Sequence, residues 1–453
     1  MKNLTKMPEV VDLFSGCGGL SYGFSQAGFS ITAGMEIDKQ ASVTASYNLH
    51  WKQGIDKEHL CMDITKNSSS IFSGTISDDV IVIGGPPCQA YSKIGRGKLK
   101  SLGEHRIPSN DSRGYLYEDF MRFVLELKAK AVVMENVPES VNFDGKNIPQ
   151  YVSEVLESQG YNAIWTVLNA ADYGVPQIRE RVFVIAIKKE YGDIVHLPVP
   201  THRKLDLEVL TNNEARFKTF SKENNFRMPN KAYENLPKWV TVGEALSDLP
   251  VLFPEAISKY KLHKPNIQLN YKTEPQNEYQ LKMRQSKNRT MRSVSGNGFR
   301  RTPRDFKIFE KMKLGDDYRD ALSIAQKFFE DACASYRVTE ESDPALFNRL
   351  KKEFVPPYDP GKFPDKWKKL NKNKPSHTLV AHLSTDTYSH IHPWEPRGIS
   401  VREAARLQSF PDDFLFSCAM GDAFKQIGNA VPPLLSKAIA ETILKNLNSD
   451  KVI

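Results

Sequence analysis

Apolar residues in the first 190 positions come in two textures. Short, nearly unbroken runs occur at Val10–Phe14, Ile31–Ile37, Val80–Ile83, Ala131–Met134, Ala163–Leu168 and Val182–Ile187. Several of them read as strands covered on both faces, since a half-exposed strand would alternate apolar with polar. Between them, apolar residues recur at helical spacing: Phe120, Phe123, Val124 and Leu127 mark one stripe, and Val152, Val155 and Leu156 another. Strands alternating with amphipathic helices predict a mostly parallel α/β sheet whose ligands gather at the C-terminal ends of the strands.

Past about residue 190 the rhythm breaks. Leu197-Pro198-Val199-Pro200 and Val355-Pro356-Pro357 punctuate polar, basic sequence, within which Thr241–Leu249 and Asp320–Tyr336 read as short helices. Order returns at Ile399–Phe410 and at Leu434–Leu447, where Leu435, Ile439, Ile443 and Leu447 repeat every four residues. The last helix is expected to pack back on the first domain, making the middle region an insertion. The expected divisions are 1–190, the inserted 191–396, a helix and linker at 397–420, and 421–453 completing the first domain.

Length and composition set limits on this picture. A chain of 453 residues, 40% hydrophobic and 10% aromatic, can bury sizeable cores in two or three domains. No run approaches the roughly eighteen apolar residues of a membrane span. Met1-Lys2-Asn3-Leu4 lacks the apolar core of a signal peptide, so a soluble cytoplasmic protein is expected. Cys17, Cys61, Cys88, Cys333 and Cys418 are scattered and odd in number, without a C-x-x-C pair. That argues against a disulfide framework and against structural zinc. The net charge of +8 is concentrated: Lys261–Glu310 carries 12 Lys/Arg against 4 Asp/Glu. Such a stretch suits nucleic acid, and equally reads as a solvated basic face.

Three loops carry candidate chemistry. Asp12-Leu13-Phe14-Ser15-Gly16-Cys17-Gly18-Gly19 follows the first strand and precedes a helix near Leu20. Its glycines let backbone approach a ligand closely. Glu36, ending the second strand, is placed to accept from ribose hydroxyls, and Asp63, after a third, to meet an adenine amino group. The pattern fits NAD or S-adenosylmethionine, although the spacing is not G-x-G-x-x-G. Cys17 reads as a packing residue. The strand Val80–Ile83 empties into Gly84-Gly85-Pro86-Pro87-Cys88-Gln89-Ala90-Tyr91-Ser92, a stiffened loop that presents a thiol at the sheet edge. Cys88 is either a nucleophile or a buried filler, and the backbone constraint favours the first. Glu135-Asn136-Val137 ends another strand, where a carboxylate is either solvated or a general acid. In Gln177-Ile178-Arg179-Glu180-Arg181, the alternating arginines point one way in an extended chain, toward Glu135, a phosphate or both.

In this order the segments resemble the cytosine-C5 DNA methyltransferase family. Asp12–Leu20 is similar to its donor loop, Gly84–Ser92 to its Pro-Cys loop, and Asp111-Ser112-Arg113-Gly114-Tyr115-Leu116 to the next donor block. Glu135-Asn136-Val137 and Gln177–Arg181 resemble the E-N-V and Q-x-R-x-R blocks. Arg402–Pro411 resembles R-E-x-A-R-L-Q-x-F-P, and Gln426–Pro432 the closing G-N-A-V-P block. The blocks span nearly the whole chain and leave roughly 190–396 as the variable region.

The resemblance implies a Rossmann-like, S-adenosylmethionine-dependent α/β core carrying an inserted smaller, irregular target-recognition domain. S-adenosylmethionine is then the donor, S-adenosylhomocysteine the product and duplex DNA the partner, with no metal. Cys88 would add to C6 of a flipped cytosine and Glu135 would act at N3. Arg179 and Arg181 would steady the acid or the base, and Asn136 the loop geometry. Phe14, Ser15, Gly16, Gly18, Gly19, Glu36, Asp63, Pro86, Leu116, Asn429 and Val431 would surround the donor. Gln89 and Ser92 would meet DNA. So would Arg284, Lys287, Arg289, Arg292, Arg300, Arg301 and Arg304, as phosphate or guanine contacts. A monomer is expected, in a bacterial or phage restriction-modification setting at the nucleoid, with a cognate endonuclease in the same system.

Two rivals are set aside on sequence. The tRNA-acting branch of the same core carries a Cys-Phe-Thr tripeptide that this chain lacks, and this variable region is long and basic. A catalytically dead DNA-binding regulator would not be expected to keep Cys88, Glu135 and Arg181 together.

Overall fold

The computed structural model describes residues 8–77, 79–87, 115–205, 213–253, 267–300, 303–359, 366–383 and 388–448. The apolar runs form one seven-stranded sheet. Its strands are β1 (Glu9–Leu13), β2 (Ser30–Glu36), β3 (His59–Cys61), β4 (Val80–Gly84), β5 (Ala131–Asn136), β6 (Tyr161–Asn169) and β7 (Glu180–Lys188). They lie in the order β3-β2-β1-β4-β5-β7-β6. Neighbours from β3 to β5 pair parallel, whereas β7 runs antiparallel to both β5 and β6. The sheet is therefore mixed, and the reversal of β7 brings its start to the edge where β1, β2, β4 and β5 end.

Alternation along each strand divides the core into two layers. Val11, Leu13, Val82, Val132, Met134 and Val184 meet α3 (Leu116–Glu126) and α4 (Ile148–Ser158) on one face. Val10, Ile81, Ile83, Val133, Phe183 and Ile185 meet α1 (Gly19–Gln26), α2 (Lys39–Leu49) and the C-terminal helix Pro433–Asn448 on the other. Local chemistry starts these helices. Asp38 caps α2 by accepting from the N–H groups of Gln40 and Ala41, and Asn147 caps α4 by accepting from Gln150. The C-terminal helix packs on α1. The Ser436 hydroxyl donates to the Leu20 carbonyl, and a Cβ at Gly23 would fall 2.3 Å from the Ser436 Cβ.

The chain resolves into two compact units. One comprises residues through Trp239, Gln408–Phe410 and the stretch from Ala430; the other comprises Val240–Leu407 and Pro411–Asn429. The first unit thus runs on past the expected boundary at residue 190. The reason lies at the exposed edge of β6: Trp165 donates to the Asn225 carbonyl and accepts from Arg227, each at 2.9 Å. Farther on, Trp239 Nε1 donates to Asp172 Oδ1 at 2.9 Å. These residues cover a strand edge that would otherwise present unpaired backbone groups.

The second unit has its own core, in which Phe299, Phe309, Tyr318, Trp367, Tyr388 and Ile391 pack together. Its longest helix, Tyr318–Tyr336, begins two residues before the expected Asp320 because Asp317 and Asp320 form a reciprocal capping box. Thr241 and Glu244 do the same for Val242–Leu246. The sheet content of this unit, among the described residues, is two short antiparallel pairs: Leu269–Asn270 with Ser293–Val294, and Gln285–Ser286 with Arg289–Thr290.

The close approach of α1 to the C-terminal helix is directly testable. Gly23→Ala should lower stability by about 1–3 kcal/mol through overpacking against Ser436. Denaturant unfolding of the full chain measures it, and an unchanged midpoint would refute the packing.

Candidate active site

At the C-terminal edge of the sheet the chain turns sharply after β1. Phe14, Gly16 and Gly18 take left-handed φ values of 59°, 54° and 86°. A bulky residue in that region is strained and persists only where its surroundings demand it. The Ser15 N–H donates to Met35 O at 3.0 Å, the Gly18 N–H to Ser15 O at 2.8 Å, and the Gly16 N–H to Glu36 Oε2 at 2.8 Å. Glu36 Oε1 accepts from the Asp38 N–H at 2.8 Å, so this carboxylate braces two loops at once. Burial pushes the Glu36 carboxyl above its ordinary range, against the backbone donors.

A side chain on Gly16 would point into empty space, which leaves room above the turn. Beside it Ile37 is 69% exposed and Met62 37%. Cys61 Sγ lies 3.7 Å from Ile37 O, completing a small apolar ledge. The sequence analysis did not single out Ile37, because an isoleucine at the end of an apolar run reads as part of the strand. The remaining expected donor residues sit as follows. Asp63 caps a short turn, where the Thr65 hydroxyl and N–H lower its carboxyl. Pro86, Gly19 and Val431 are buried, and Leu116 opens α3. Asn429 is exposed at the end of helix Met420–Asn429, in the second unit.

Asp12 on β1 is buried at 1% exposure. Ser21 Oγ donates to its Oδ2 at 2.6 Å, while Oδ1 has no hydrogen-bond partner among the described residues. Burial raises this carboxyl to about 7.

The second cluster centres on Glu135. Antiparallel register sets Glu135 opposite Phe183, so Arg181, two residues earlier on the same face of β7, reaches across. Arg181 Nε lies 2.9 Å from Glu135 Oε1. Burial raises the Glu135 carboxyl, and the charges of Arg181 and Arg179 pull it only part of the way back. Removing one partner from such a buried pair costs roughly 3–5 kcal/mol. The third wall is the chain leaving β4. A Cβ at Gly85 would stand 2.9 Å from Glu135 Oε2, so glycine lets Gly84–Pro87 pass directly over the acid. Cys88, Gln89, Ser92 and Arg301 lie outside the described residues, as does the side chain of Arg304.

Two of the expected catalytic residues serve as struts. Arg179 is buried and donates to Ala430 O at 3.1 Å, the same carbonyl that takes Gln408 Nε2 at 2.6 Å. Asn136 turns back on the chain, its Oδ1 accepting from the Val137 N–H at 2.8 Å. In the second unit, Arg284 departs from the expected DNA surface. It is 1% exposed, its guanidinium donates to Thr273 O and Met291 O, and Tyr271 stacks on it at 3.8 Å. A cation whose donors are already committed inside the fold does not track phosphates. Lys287, Arg289 and Arg292 are exposed or half-exposed, and Arg300 is half-buried over the Tyr388 ring. Among the described residues His392, Glu395 and Glu403 bring possible metal-ligating atoms within 4.8 Å of one another. Arg397 already bridges the two carboxylates, at 3.1 and 2.7 Å.

A glycine-bearing turn beside an acid and a buried carboxyl–guanidinium pair thus share one edge of a Rossmann-like α/β sheet, the fold of the S-adenosylmethionine-dependent C5 methyltransferases. The chain belongs to the C-5 cytosine-specific DNA methylase family, which matches residues 9–445, and is a DNA cytosine-5-methyltransferase. It is 56% identical over 446 residues to a protein of Oceanobacillus iheyensis assigned as type II methyltransferase M.OihORF3336P, covering 98% of this chain and 96% of that one. It is 33% identical to the type II methyltransferase M.AgeI of Thalassovita gelatinovora, covering 96% and 99%. Among solved structures, a protein assigned as a DNA modification methyltransferase of an E. coli prophage aligns with TM-score 0.62 at 25% identity. That alignment covers 97% of this chain and 99% of the other. No helix among the described residues is long and apolar enough to cross a membrane.

Asp12 supplies a pH test. Its folded-state value of about 7 exceeds its ordinary 3.8, so between these values the folded chain holds a proton that the unfolded chain has released. Stability therefore falls as pH rises through that window. Asp12→Asn should flatten this dependence in thermal unfolding between about pH 4 and 7.5; an identical slope in variant and parent would refute it.

Proposed function

We propose that the chain transfers a methyl group from S-adenosylmethionine to C5 of a cytosine flipped out of a specific duplex DNA sequence, through a covalent bond from Cys88 to C6. The observation that carries this reading is the convergence at Glu135. The Gly84–Pro87 segment leading into Cys88 crosses its carboxyl, and Arg181 clamps it from β7 at 2.9 Å. The donor fits the other cluster: open space above Gly16, a braced carboxylate at Glu36 and the Ile37 ledge suit a ribose and an adenine face.

Cytosine C5 is too weak a nucleophile to take a methyl group unaided. Cys88 Sγ adds to C6 while Glu135 gives a proton or hydrogen bond to N3, and the electron pair of the 5,6 double bond becomes available at C5. S-adenosylmethionine supplies the electrophilic methyl group. C5 takes that methyl group and S-adenosylhomocysteine is released; a water then takes the C5 proton as Cys88 Sγ leaves C6, and N3 returns its proton to Glu135, which restores the ring. Burial of Glu135 favours its protonated form, as an acid at N3 needs. Arg181 fixes the carboxyl's direction. A base inside the duplex is out of reach of this edge, hence the flipping.

The second unit is the proposed DNA reader. Its Lys287, Arg289 and Arg292 sit on and beside the Gln285–Thr290 hairpin, suited to phosphates. The chain is read as the modification enzyme of a type II restriction-modification system, acting as a monomer beside a cognate endonuclease.

Bisulfite sequencing of DNA from a host expressing the chain reads product and target sequence together. Absence of any C5-methylated site, with methylation confined to tRNA, would overturn the proposal. Cys88→Ser should abolish methyl transfer while DNA binding persists; loss of folding instead would mark a structural thiol. Glu135→Gln should slow methylation about 10²–10⁴-fold, and a near-normal rate would remove Glu135 from the chemistry. Replacing Lys287, Arg289 and Arg292 together with Ala should reduce the slope of log affinity against log salt by about 2–3. An unchanged slope would place the DNA elsewhere.

A further inference from the structure

Beside the donor turn lies a pair of buried imidazoles that the proposed reaction does not use. His59, on β3, sets Nδ1 2.8 Å from Ser15 Oγ. Its backbone N–H donates to Ser46 Oγ of α2 at 2.8 Å. The ring fills the space that a side chain on Gly34 would take, since a Cβ there would fall 2.1 Å from Nδ1. His50 packs beside it, ring centroids 5.6 Å apart. Both are almost wholly buried, and Nε2 of each has no hydrogen-bond partner among the described residues. Burial holds both neutral, lowering His59 to about 3 and His50 to about 4. A neutral ring wedged between α2 and Gly34 is therefore a rigid post whose polar contact is Ser15.

Ser15 is the residue between the left-handed Phe14 and Gly16. Backbone hydrogen bonds hold the turn to β2; the Ser15 hydroxyl adds a tether to β3. We propose that His59 is a positioning residue for methyl transfer, holding through Ser15 Oγ the Phe14–Gly16 turn in the shape that receives the donor. This rests on reading that turn as the S-adenosylmethionine site.

The test uses the full chain and S-adenosylmethionine, by titration calorimetry and steady-state methylation. His59→Phe keeps the ring volume and removes the nitrogen; His59→Asn returns a polar group near Nδ1; Ser15→Ala removes the other end. His59→Phe and Ser15→Ala should each weaken donor binding and raise its KM about tenfold, with kcat at saturating donor within about twofold. The double variant should be no worse than either single one, and His59→Asn should recover most of the loss. Unchanged donor affinity, additive losses, or a fall in kcat at constant KM would each overturn the role. Should His59→Phe fail to fold, His59→Leu decides, since Ser15 itself lies in the donor turn: normal donor affinity overturns the proposal, a tenfold loss supports it. If the unaltered chain binds no S-adenosylmethionine, the reading of the turn itself fails. If it binds and the variants bind equally well, only the role of His59 does.

Discussion

The strand register β4-β5-β7 is the constraint on which the site depends. Parallel pairing carries the ends of β1, β2, β4 and β5 to one edge, and the reversal of β7 brings its beginning there too. Without that reversal, Arg181 would lie at the opposite end of the sheet from Glu135. With it, a buried carboxyl gains a guanidinium 2.9 Å away, and the chain toward Cys88 passes over the same oxygen pair. The ion pair is not there for stability, because desolvation offsets most of its attraction. It fixes the direction of a carboxyl that burial shifts toward its protonated form.

Arginine plays two physically distinct parts in this chain, and sequence spacing does not separate them. Arg181 faces the site, while Arg179 holds the Ala430 carbonyl. In the second unit, Arg402 donates to the carbonyls of Ser295, Pro411 and Phe414, and Arg406 is locked between Asp248 and Asp412. The Arg402–Pro411 block therefore owes its composition to buried hydrogen-bond satisfaction. Arg284 belongs with these struts, whereas Arg289 and Arg292 remain in reach of solvent. Burial decides which cations are available to a polyanion.

Much of the fold was legible. Unbroken apolar runs marked six of the seven sheet strands within a few residues, because strands covered on both faces have no polar alternation. β3 was foreseen only through Asp63, since three residues carry little pattern. The four-residue repeat of the C-terminal helix is the buried stripe that packs on α1 of the first unit. The boundary near residue 190 was not legible, because what extends the unit to Trp239 is edge pairing on β6, backbone pairing of Arg203 with Pro237 and Trp239, and the Trp239–Asp172 hydrogen bond, none of which has periodicity.

By itself the sequence determined the α/β class and the family, since these rest on local pattern and on ordered blocks. Tertiary structure decided strand direction at β7, the pairing of Arg181 rather than Arg179 with Glu135, the burial of Arg284, and the His59–Ser15 tether. Each joins residues brought together by sheet register or packing, and such pairings leave no periodic trace along the chain.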